Sequence, residues 1–482
     1  MGSQFKLRVD ICSEHENVTG SCTQVTIHMP DGKVKFLIDC GLYQGDEYAK
    51  EGEEVSSELR NRAPFSFEPE DIRFVLVTHN HTDHVGRLPL LYKRGYTGLI
   101  HTTKDTSKML SLSLGDSEKV LKMNADENGL SQLYAMSDVR TTLENVASHD
   151  FEKWFEPYPG IKVIFFMNGH LIGSALTFIH ISAPGCESID ILAMGDYKAN
   201  NAFFAVRELP FWVSKIPINI ITESTYGHID STEAKRPVFA NNIIELLETK
   251  NLILIPVFSL ARGQEIMYEL KKLQESGRLS KDIPIYADGR LLIDYCNMYK
   301  YRLNISENMK DFYPVNLNFM NKEIRDVIIK SHMKKIILTT SGMANHGPAQ
   351  EYIPKIIERK DSAIHFVGYT APTTLGYHLI NAKEGEIVQI GDVPKKKKCE
   401  VRTTGEFSTH AKRDELLDFL KQFDNINSLL IQHGEMAVKE KFSEYCKQNL
   451  HNCKRIEILG NGNTVCLSPW KIEKVSENVK WK

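Results

Sequence analysis

A short segment rich in histidine and aspartate follows an apolar stretch near residue 75. It reads RFVLVTHNHTDHVG and places His79, His81, Asp83 and His84 within six residues, although the chain of 482 residues has only 17 histidines. On an extended chain alternate residues point the same way, so His79, His81 and Asp83 can converge. Imidazole nitrogens and carboxylate oxygens suit a borderline divalent metal such as Zn²⁺. The alternative, a helix-capping Asp83 among polar loop histidines, explains less of the pattern.

Four ligands on one loop cannot complete two metal sites, so further ligands are expected at the ends of other strands. His170 lies in NGHLIGSA after the apolar run KVIFF, Asp196 follows ILAMG, and His433 ends SLLIQ. Each of these alone is more often a structural residue. Together with the H-x-H-x-D-H loop they are predicted ligands.

The elements that must position these residues change in character along the chain. The first 200 residues or so contain short strands such as VKFLIDC, IRFVLVT and DILAMG. From about residue 230 strands alternate with helices, for example NLILIPVF and then GQEIMYELKKL, which indicates a parallel α/β sheet. The last 75 residues or so return to helix–strand pairs. The stretch between Asp196 and His433 is long enough for an inserted domain.

Composition bounds the class of protein. Apolar residues make up 42% and charged residues 25% of the chain, which excludes collagen-like, coiled-coil and wholly disordered classes. No apolar run reaches the roughly 18 residues of a membrane helix, and the N-terminus has no secretory signal, so a cytoplasmic location is expected. Nine cysteines without a C-x-x-C pair argue against disulfides or thiolate zinc sites. A net charge of −3 excludes a uniformly basic surface but allows a local basic cleft.

At this point the motifs resemble a known family. The H-x-H-x-D-H loop, G-H-x-x-G-S-A and the G-D turn are similar to the metallo-β-lactamase-fold hydrolases. Glu223 in ITESTYG, His410 in EFSTHAKRDEL and His433 in LLIQHGE resemble motifs A, B and C of the β-CASP nucleases. A motif C histidine, together with IPVFSLARGQE and TSGM, is similar to the RNA-processing branch that contains the pre-mRNA 3′-end endonuclease and its prokaryotic relatives.

The resemblance implies an α/β fold, namely a metallo-β-lactamase αββα sandwich with an inserted β-CASP domain built on a parallel α/β sheet. Residues 1–227 and 409–482 would form the lactamase-like domain, and residues 228–408 the inserted domain.

The resemblance also implies roles for individual residues. His79, His81 and His170 would bind one zinc ion, Asp83, His84 and His433 a second, and Asp196 would bridge the two. Asp39 would orient a ligand imidazole; as an alternative it is a turn residue before Gly41. Asp83, Glu223 and His410 are the predicted catalytic residues, with His410 as general acid.

The implied function is a zinc-dependent RNA phosphodiester hydrolase that leaves 5′-phosphate and 3′-hydroxyl ends. An endonuclease is expected, and exonuclease activity stays open. Three alternatives also remain: a small-molecule ester hydrolase, a DNA nuclease, and a catalytically silent RNA-binding scaffold subunit. Glu223 and His410 argue against an ester hydrolase, and His433 argues against a DNA nuclease. The full set of ligands argues against a silent scaffold.

Contacts with RNA are expected in the inserted domain. The backbone of Ser341 and Gly342 could present N–H groups to a phosphate, and Lys397 and Lys398 could neutralise one; a plain turn and a solvated lysine run are the alternatives. The partner is expected to be single-stranded RNA rather than a membrane, and a homodimer or a partner in a nuclease complex is left open. The chain departs from the usual family pattern at Gly289–Leu292, His346–Pro348 and Tyr377.

Overall fold

A computed structural model of the chain describes residues 6–15, 17–30, 32–45, 56–230, 238–305, 307–460, 462–468 and 473–476. The chain divides into two compact units. Unit 1 contains residues 1–231 and 409–482, and unit 2 contains residues 232–408. The first division therefore falls after residue 231, where the sequence places it after residue 227.

The strands of the described residues are numbered in chain order. They are β1 (Arg8–Ser13), β2 (Thr23–Met29), β3 (Gly32–Ile38), β4 (Ile72–Leu76), β5 (Leu99–Thr103), β6 (Val146–His149), β7 (Phe155–Tyr158), β8 (Ile161–Met167), β9 (Ala175–Ile181), β10 (Ile189–Ala193), β11 (Ile218–Thr222), β12 (Leu252–Pro256), β13 (Ile285–Asp288), β14 (Leu317–Phe319), β15 (Lys335–Thr339), β16 (Ser362–Phe366), β17 (Ile387–Ile390), β18 (Val393–Lys396), β19 (Glu400–Thr403), β20 (Ile426–Ile431), β21 (Ile456–Ile458), β22 (Thr464–Leu467) and β23 (Glu473–Ser476).

The α-helices are numbered in the same way. They are α1 (Ser57–Arg62), α2 (Thr82–Val85), α3 (Leu88–Lys93), α4 (Lys104–Glu127), α5 (Met136–Glu144), α6 (Phe211–Lys215), α7 (Val238–Thr249), α8 (Arg262–Glu275), α9 (Arg290–Tyr301), α10 (Glu307–Lys310), α11 (Arg325–Lys330), α12 (Ala349–Ile356), α13 (Leu375–Asn381), α14 (Arg413–Leu420) and α15 (Met436–Asn449).

Unit 1 is built on two sheets that share an apolar core. One sheet has the order β23-β22-β1-β2-β3-β4-β5-β6 and the other β21-β20-β11-β10-β9-β8-β7. Strands such as β1 alternate in burial and strands such as β11 are buried throughout, so each sheet contributes one apolar face to the core between them. Side chains from both sheets meet there, among them Val25, Phe36, Phe165, Ile179 and Ile191. Burial of this apolar surface holds the two sheets together.

Helices cover the outer face of each sheet. Leu91 of α3, Leu110 of α4 and Val139 of α5 pack with Val75 of β4 on the first sheet. On the second sheet, a separate cluster joins side chains of α6, α14 and α15 to β11 and β20. The predicted αββα sandwich is thereby confirmed. The 24-residue helix α4 is an element that the sequence reading did not anticipate.

Unit 2 is built on a parallel sheet with the order β14-β13-β15-β12-β16-β19. Every neighbouring pair in this sheet runs parallel, as predicted from the alternation of strands and helices. Leu254, Ile337 and Ile364 of three adjacent strands pack against Tyr352 and Ile353 of α12. A separate antiparallel hairpin, β17–β18, contains the first half of the lysine run. No helix among the described residues is both long and apolar enough to cross a membrane.

Candidate active site

The H-x-H-x-D-H loop begins where β4 ends and turns into the short helix α2. β4 ends at Leu76, and only Val77 and Thr78 separate it from His79. His81 is the residue immediately before α2. Asp83 and His84 lie within that helix. Strand and helix therefore place four donor side chains at one end of the first sheet.

The first group of ligands joins this loop to two other loops of unit 1. The Nε2 atoms of His79 and His170 lie 3.4 and 3.5 Å from Asp196 Oδ2, and His170 Nε2 lies 3.0 Å from His81 Nδ1. His170 donates its Nδ1–H to the carbonyl of Thr409 at 2.8 Å, so its Nε2 lone pair faces the group. These four ligand side chains can hold one metal ion.

The second group consists of Asp83, His84 and His433. Asp83 Oδ2 lies 3.8 Å from His84 Nε2 and 3.9 Å from His433 Nε2. The other oxygen of Asp196, Oδ1, lies 3.3 Å from His84 Nε2 and 3.1 Å from His433 Nε2. Asp196 therefore presents one oxygen to each group, which is the geometry of a bridging carboxylate.

The hydrogen bonding of these groups supports a metal site. His79 Nε2, His84 Nε2, His433 Nε2 and Asp196 Oδ1 are buried, and none has a hydrogen-bond partner among the described residues. Buried polar atoms are almost always paired, and an unpaired group calls for an ion or water. Four such atoms converging on two positions fit divalent metal ions held by nitrogen and oxygen.

The protonation of three ligand imidazoles and of two carboxylates agrees with this assignment. Burial lowers the pKa values of His79 and His170 well below the usual range and that of His433 to about 3. Burial raises the pKa of Asp83 to about 6. For Asp196 burial acts in the same direction, but the surrounding imidazoles hold its pKa well below the usual value. Neutral imidazoles and an ionised bridging carboxylate are the forms that bind metal.

The Asp39 carboxylate accepts hydrogen bonds from two residues of the H-x-H-x-D-H segment and its flank, Thr78 and His84. Its Oδ1 accepts from the Thr78 backbone N–H, and its Oδ2 accepts from Thr78 Oγ1 and His84 Nδ1, each at 2.8 Å. Burial lowers the pKa of His84, but the carboxylates of Asp196, Asp39 and Asp83 together hold it well above the usual value. The structure thus places Asp39 where it orients the His84 ring with Nε2 toward the metal groups.

His410 and Glu223 lie beside the ligands and contact each other. His410 Nδ1 is 2.8 Å from Glu223 Oε2, and its Nε2 is 3.9 Å from Asp196 Oδ2. Glu223 is fully buried and also accepts from the Tyr197 backbone N–H. Burial lowers the pKa of His410, but Glu223 and Asp196 raise it to about 9. With 19% of its side chain exposed, His410 can be reached by solvent.

Three domain families match the chain. The metallo-beta-lactamase superfamily matches residues 19–161, the Beta-Casp domain residues 263–379, and the Zn-dependent metallo-hydrolase RNA specificity domain residues 395–459. The first match contains the H-x-H-x-D-H loop, and the third contains His410 and His433. The chain belongs to the β-CASP branch of the metallo-β-lactamase superfamily. These families are metal-dependent hydrolases.

Named relatives of this β-CASP chain come from archaea and bacteria. Transcription termination factor FttA of Methanococcus maripaludis is 30% identical over 424 residues, which cover 84% of this chain and 64% of the relative. FttA of Methanosarcina mazei is 28% identical over 459 residues, covering 86% and 66%. A ribonuclease of Thermus thermophilus is 29% identical over 418 residues, covering 84% and 88%. The chain therefore spans about two thirds of the length of these two termination factors.

Asn168 is a residue of this β-CASP site that sequence reasoning missed. Its Nδ2 donates to the carbonyls of Met194 at 3.0 Å and Asp196 at 2.6 Å, and its Oδ1 accepts from the His170 N–H at 3.0 Å. It therefore fixes the distance between two ligand loops. The only signal in the sequence is its position two residues before His170 in a glycine-containing loop, which is weak because asparagine is common in such loops.

The residues predicted to contact RNA have mixed outcomes. Lys397 is only 6% exposed, and its Nζ donates to the carbonyls of Leu379 and Ala382, so Lys397 stabilises unit 2 internally and is no phosphate contact. Lys398 is half-buried. The Ser341 N–H already donates to the His346 carbonyl at 3.1 Å, which removes one of the two predicted backbone donors.

Proposed function

We propose that the chain is a zinc-dependent RNA phosphodiester hydrolase that cuts single-stranded RNA internally and leaves 5′-phosphate and 3′-hydroxyl ends. The matched RNA specificity domain and the ribonuclease of Thermus thermophilus support RNA as substrate. The observation that carries the proposal is the His410–Glu223 pair beside two groups of metal ligands. A metal site alone would serve many hydrolyses, whereas a held, protonated imidazole is suited to releasing a poor leaving group.

The proposed cofactor is two zinc ions per chain. His79, His81 and His170 would hold one, Asp83, His84 and His433 the other, and Asp196 would contact both. When bound, a zinc pair supplies an activated water at neutral pH and offsets negative charge on the phosphate oxygens. Proton delivery to the leaving oxygen is left to a side chain of unit 1.

His410 is assigned the proton that the leaving oxygen needs. Its Nδ1 is bonded to Glu223 Oε2, so the proton available for transfer is on Nε2, which faces the ligand groups. The leaving 3′-oxygen is strongly basic, and its release as an alkoxide is costly. Proton delivery in the transition state typically contributes about 10²–10⁴-fold to the rate. Glu223 keeps the imidazole charged and in one orientation.

The test is cleavage of end-labelled single-stranded RNA and of DNA of the same sequence by zinc-loaded protein. The expected result is RNA fragments of intermediate length, with 5′-phosphates, that disappear when a chelator is added and return with zinc. An Asp196→Asn variant, which replaces one of the two ligand oxygens by an NH₂ group and keeps the side-chain shape, is the matched inactive control. Cleavage of DNA at an equal rate would favour the DNA-nuclease alternative. RNA binding without any cleavage would favour the silent scaffold.

Two further properties are part of the proposal. Two relatives, from Methanococcus and Methanosarcina, are named transcription termination factors. Transcription termination is therefore the process in which RNA cleavage by this chain should be tested next. A cytoplasmic location and assembly as a homodimer or with a nuclease partner remain predictions from the sequence.

A further inference from the structure

An exposed phenylalanine lies at the carboxyl ends of the central strands of unit 2. Phe258 follows β12 by two residues and is 38% exposed, although its neighbour Val257 is buried. The Val257 N–H donates to the Thr339 carbonyl at 2.8 Å, which keeps the loop after β12 beside the loop after β15. The backbone therefore holds a large, partly exposed aromatic side chain at this edge of the sheet.

The topology of the sheet makes this edge a ligand-binding position. β15 and β12 are neighbours, but the chain leaves β12 through α8 toward β13 on one side and leaves β15 through α12 toward β16 on the other. The strand order reverses between them. In open parallel sheets, ligands bind outside the carboxyl ends of the strands at this point of reversal.

Two glycines allow the backbone to approach the Phe258 ring closely. A Cβ at Gly342 would lie 3.0 Å from the ring, and a Cβ at Gly368 would lie 3.4 Å from it. The same Cβ at Gly368 would lie 3.2 Å from Arg262 Nη1. The Arg262 guanidinium donates hydrogen bonds to the carbonyls of Val367 and Phe407. The ring therefore lies beside bare backbone and near a buried guanidinium that is also paired with Glu265.

More aromatic side chains lie on the adjoining loops of the same edge. Tyr369 and Tyr377 are both exposed, the first directly after Gly368 and the second in the first turn of α13. The start of α13 is joined to the loop after β15, because the Gly376 N–H donates to the Met343 carbonyl at 3.0 Å. Exposed aromatic rings grouped at one edge are typical of surfaces that stack nucleobases.

We propose that the Phe258 ring is a stacking platform for one nucleobase of the bound RNA. This inference rests on the proposed function, since it assigns a contact to the same substrate. A base has two flat faces and stacks on an aromatic ring whatever its sequence. The platform would hold RNA through a base, in contrast to the backbone and lysine contacts predicted from the sequence.

The test measures binding of full-length, chelator-treated protein to a fluorescent single-stranded RNA of about ten nucleotides, so that the RNA stays intact. A second RNA of the same length lacks its bases and keeps every phosphate. Phe258→Ala is expected to weaken binding of the first RNA by about 5- to 150-fold and to leave the abasic RNA unaffected. Phe258→Trp should bind like the wild type. Phe258→Leu keeps an apolar side chain without an aromatic face and should bind like Phe258→Ala.

The control is Tyr301→Ala, which removes a 70% exposed aromatic side chain at the far end of α9 and should change neither affinity. Unchanged thermal unfolding of each variant shows that unit 2 is intact. Phe258→Ala binding with wild-type affinity, or losing affinity equally for both RNAs, would overturn the platform alone. Wild-type protein that neither binds nor cuts RNA would overturn the proposed function, and the platform with it.

Discussion

His410 differs from the ligand histidines in the way its ring is held. Its Nδ1 contacts a buried carboxylate, and its Nε2 lies 3.9 Å from Asp196, whereas four of the ligand imidazoles, those of His79, His84, His170 and His433, lie 3.1–3.5 Å from the same carboxylate. His410→Ala is therefore expected to keep both metal ions and RNA affinity while turnover falls about 10²–10⁴-fold. Single-turnover cleavage with saturating protein, together with metal analysis, measures both quantities.

His433→Ala is the contrasting variant, because His433 belongs to the second ligand group. It should lose metal, and activity should fall as a consequence. Should His410→Ala cut RNA within about threefold of the wild-type rate, far short of the general-acid range, the assignment of His410 is wrong.

Asp39 offers a second test at the scale of single residues. Asp39→Asn replaces one acceptor oxygen by an NH₂ group that must face donors from Thr78 or His84. Asn also tolerates the positive φ of 61° at this position, so the change tests the carboxylate and not the backbone. We expect zinc affinity to fall about 10–100-fold, as measured by competition with a chromophoric chelator. Asp71→Asn, an exposed carboxylate paired with Lys35, should change nothing.

The side chains that converge in unit 1 could be picked out from the sequence because their chemistry is concentrated. His79, His81, Asp83 and His84 lie within six residues, and few other functions need such a cluster. Asn168 was not predictable in the same way, since an asparagine in a glycine-containing loop has many ordinary roles. Lys397 was misread because lysine runs usually face solvent, and nothing local in the sequence indicates that one of four lysines points inward.

At the scale of elements, β15 begins with a buried lysine. Lys335 is 1% exposed, and its Nζ donates to the Ser331 carbonyl at 2.6 Å. Burial lowers its pKa to about 8. A free lysine titrates near 10.4, so folding disfavours the charged form. The loss of folding stability caused by burying the charged lysine is absent above about pH 10.4, grows as the pH falls, and is fully present below about pH 8.

Lys335→Met should therefore stabilise unit 2 at neutral pH, by about 2–4 °C for each 1 kcal/mol gained. The gain over the wild type should shrink as the pH rises from 8 to above 10. Thermal unfolding of both proteins at several pH values measures it, with Lys334→Met as the control, because Lys334 is exposed one residue earlier. A gain that does not change with pH would show that packing and not charge is responsible.

Elements with a plain apolar pattern were predictable from the sequence, and others were not. β12 is an apolar run followed by a helix, as the sequence predicts. The helix α4 was missed because polar residues dilute its apolar positions over 24 residues. The β17–β18 hairpin was missed because its strands are only four residues long and one ends in lysines. Such short strands depend on pairing rather than on their own composition.

At the scale of the whole molecule, each unit has its own apolar core, and the proposed metal ligands all lie in unit 1. The core cluster of unit 2 contains only residues between 252 and 399, and the clusters of unit 1 contain none of these. All predicted metal ligands, together with Glu223 and His410, belong to unit 1. The substrate-facing residues proposed for RNA binding belong to unit 2. Metal binding and RNA binding can therefore be perturbed one at a time.

This separation predicts how metal changes the stability of the chain. A ligand that binds only the folded state stabilises it by about 2.7 kcal/mol at a free concentration of 100 times Kd. Zinc should therefore raise the unfolding temperature of unit 1 and leave that of unit 2 in place, because unit 2 contributes none of the ligands. Calorimetry with chelator and with added zinc should show two transitions, of which one moves. Lys335→Met identifies the stationary transition by shifting it alone, and Asp196→Asn should abolish the zinc effect on the other. One transition that moves as a whole with zinc would show instead that the two cores unfold together.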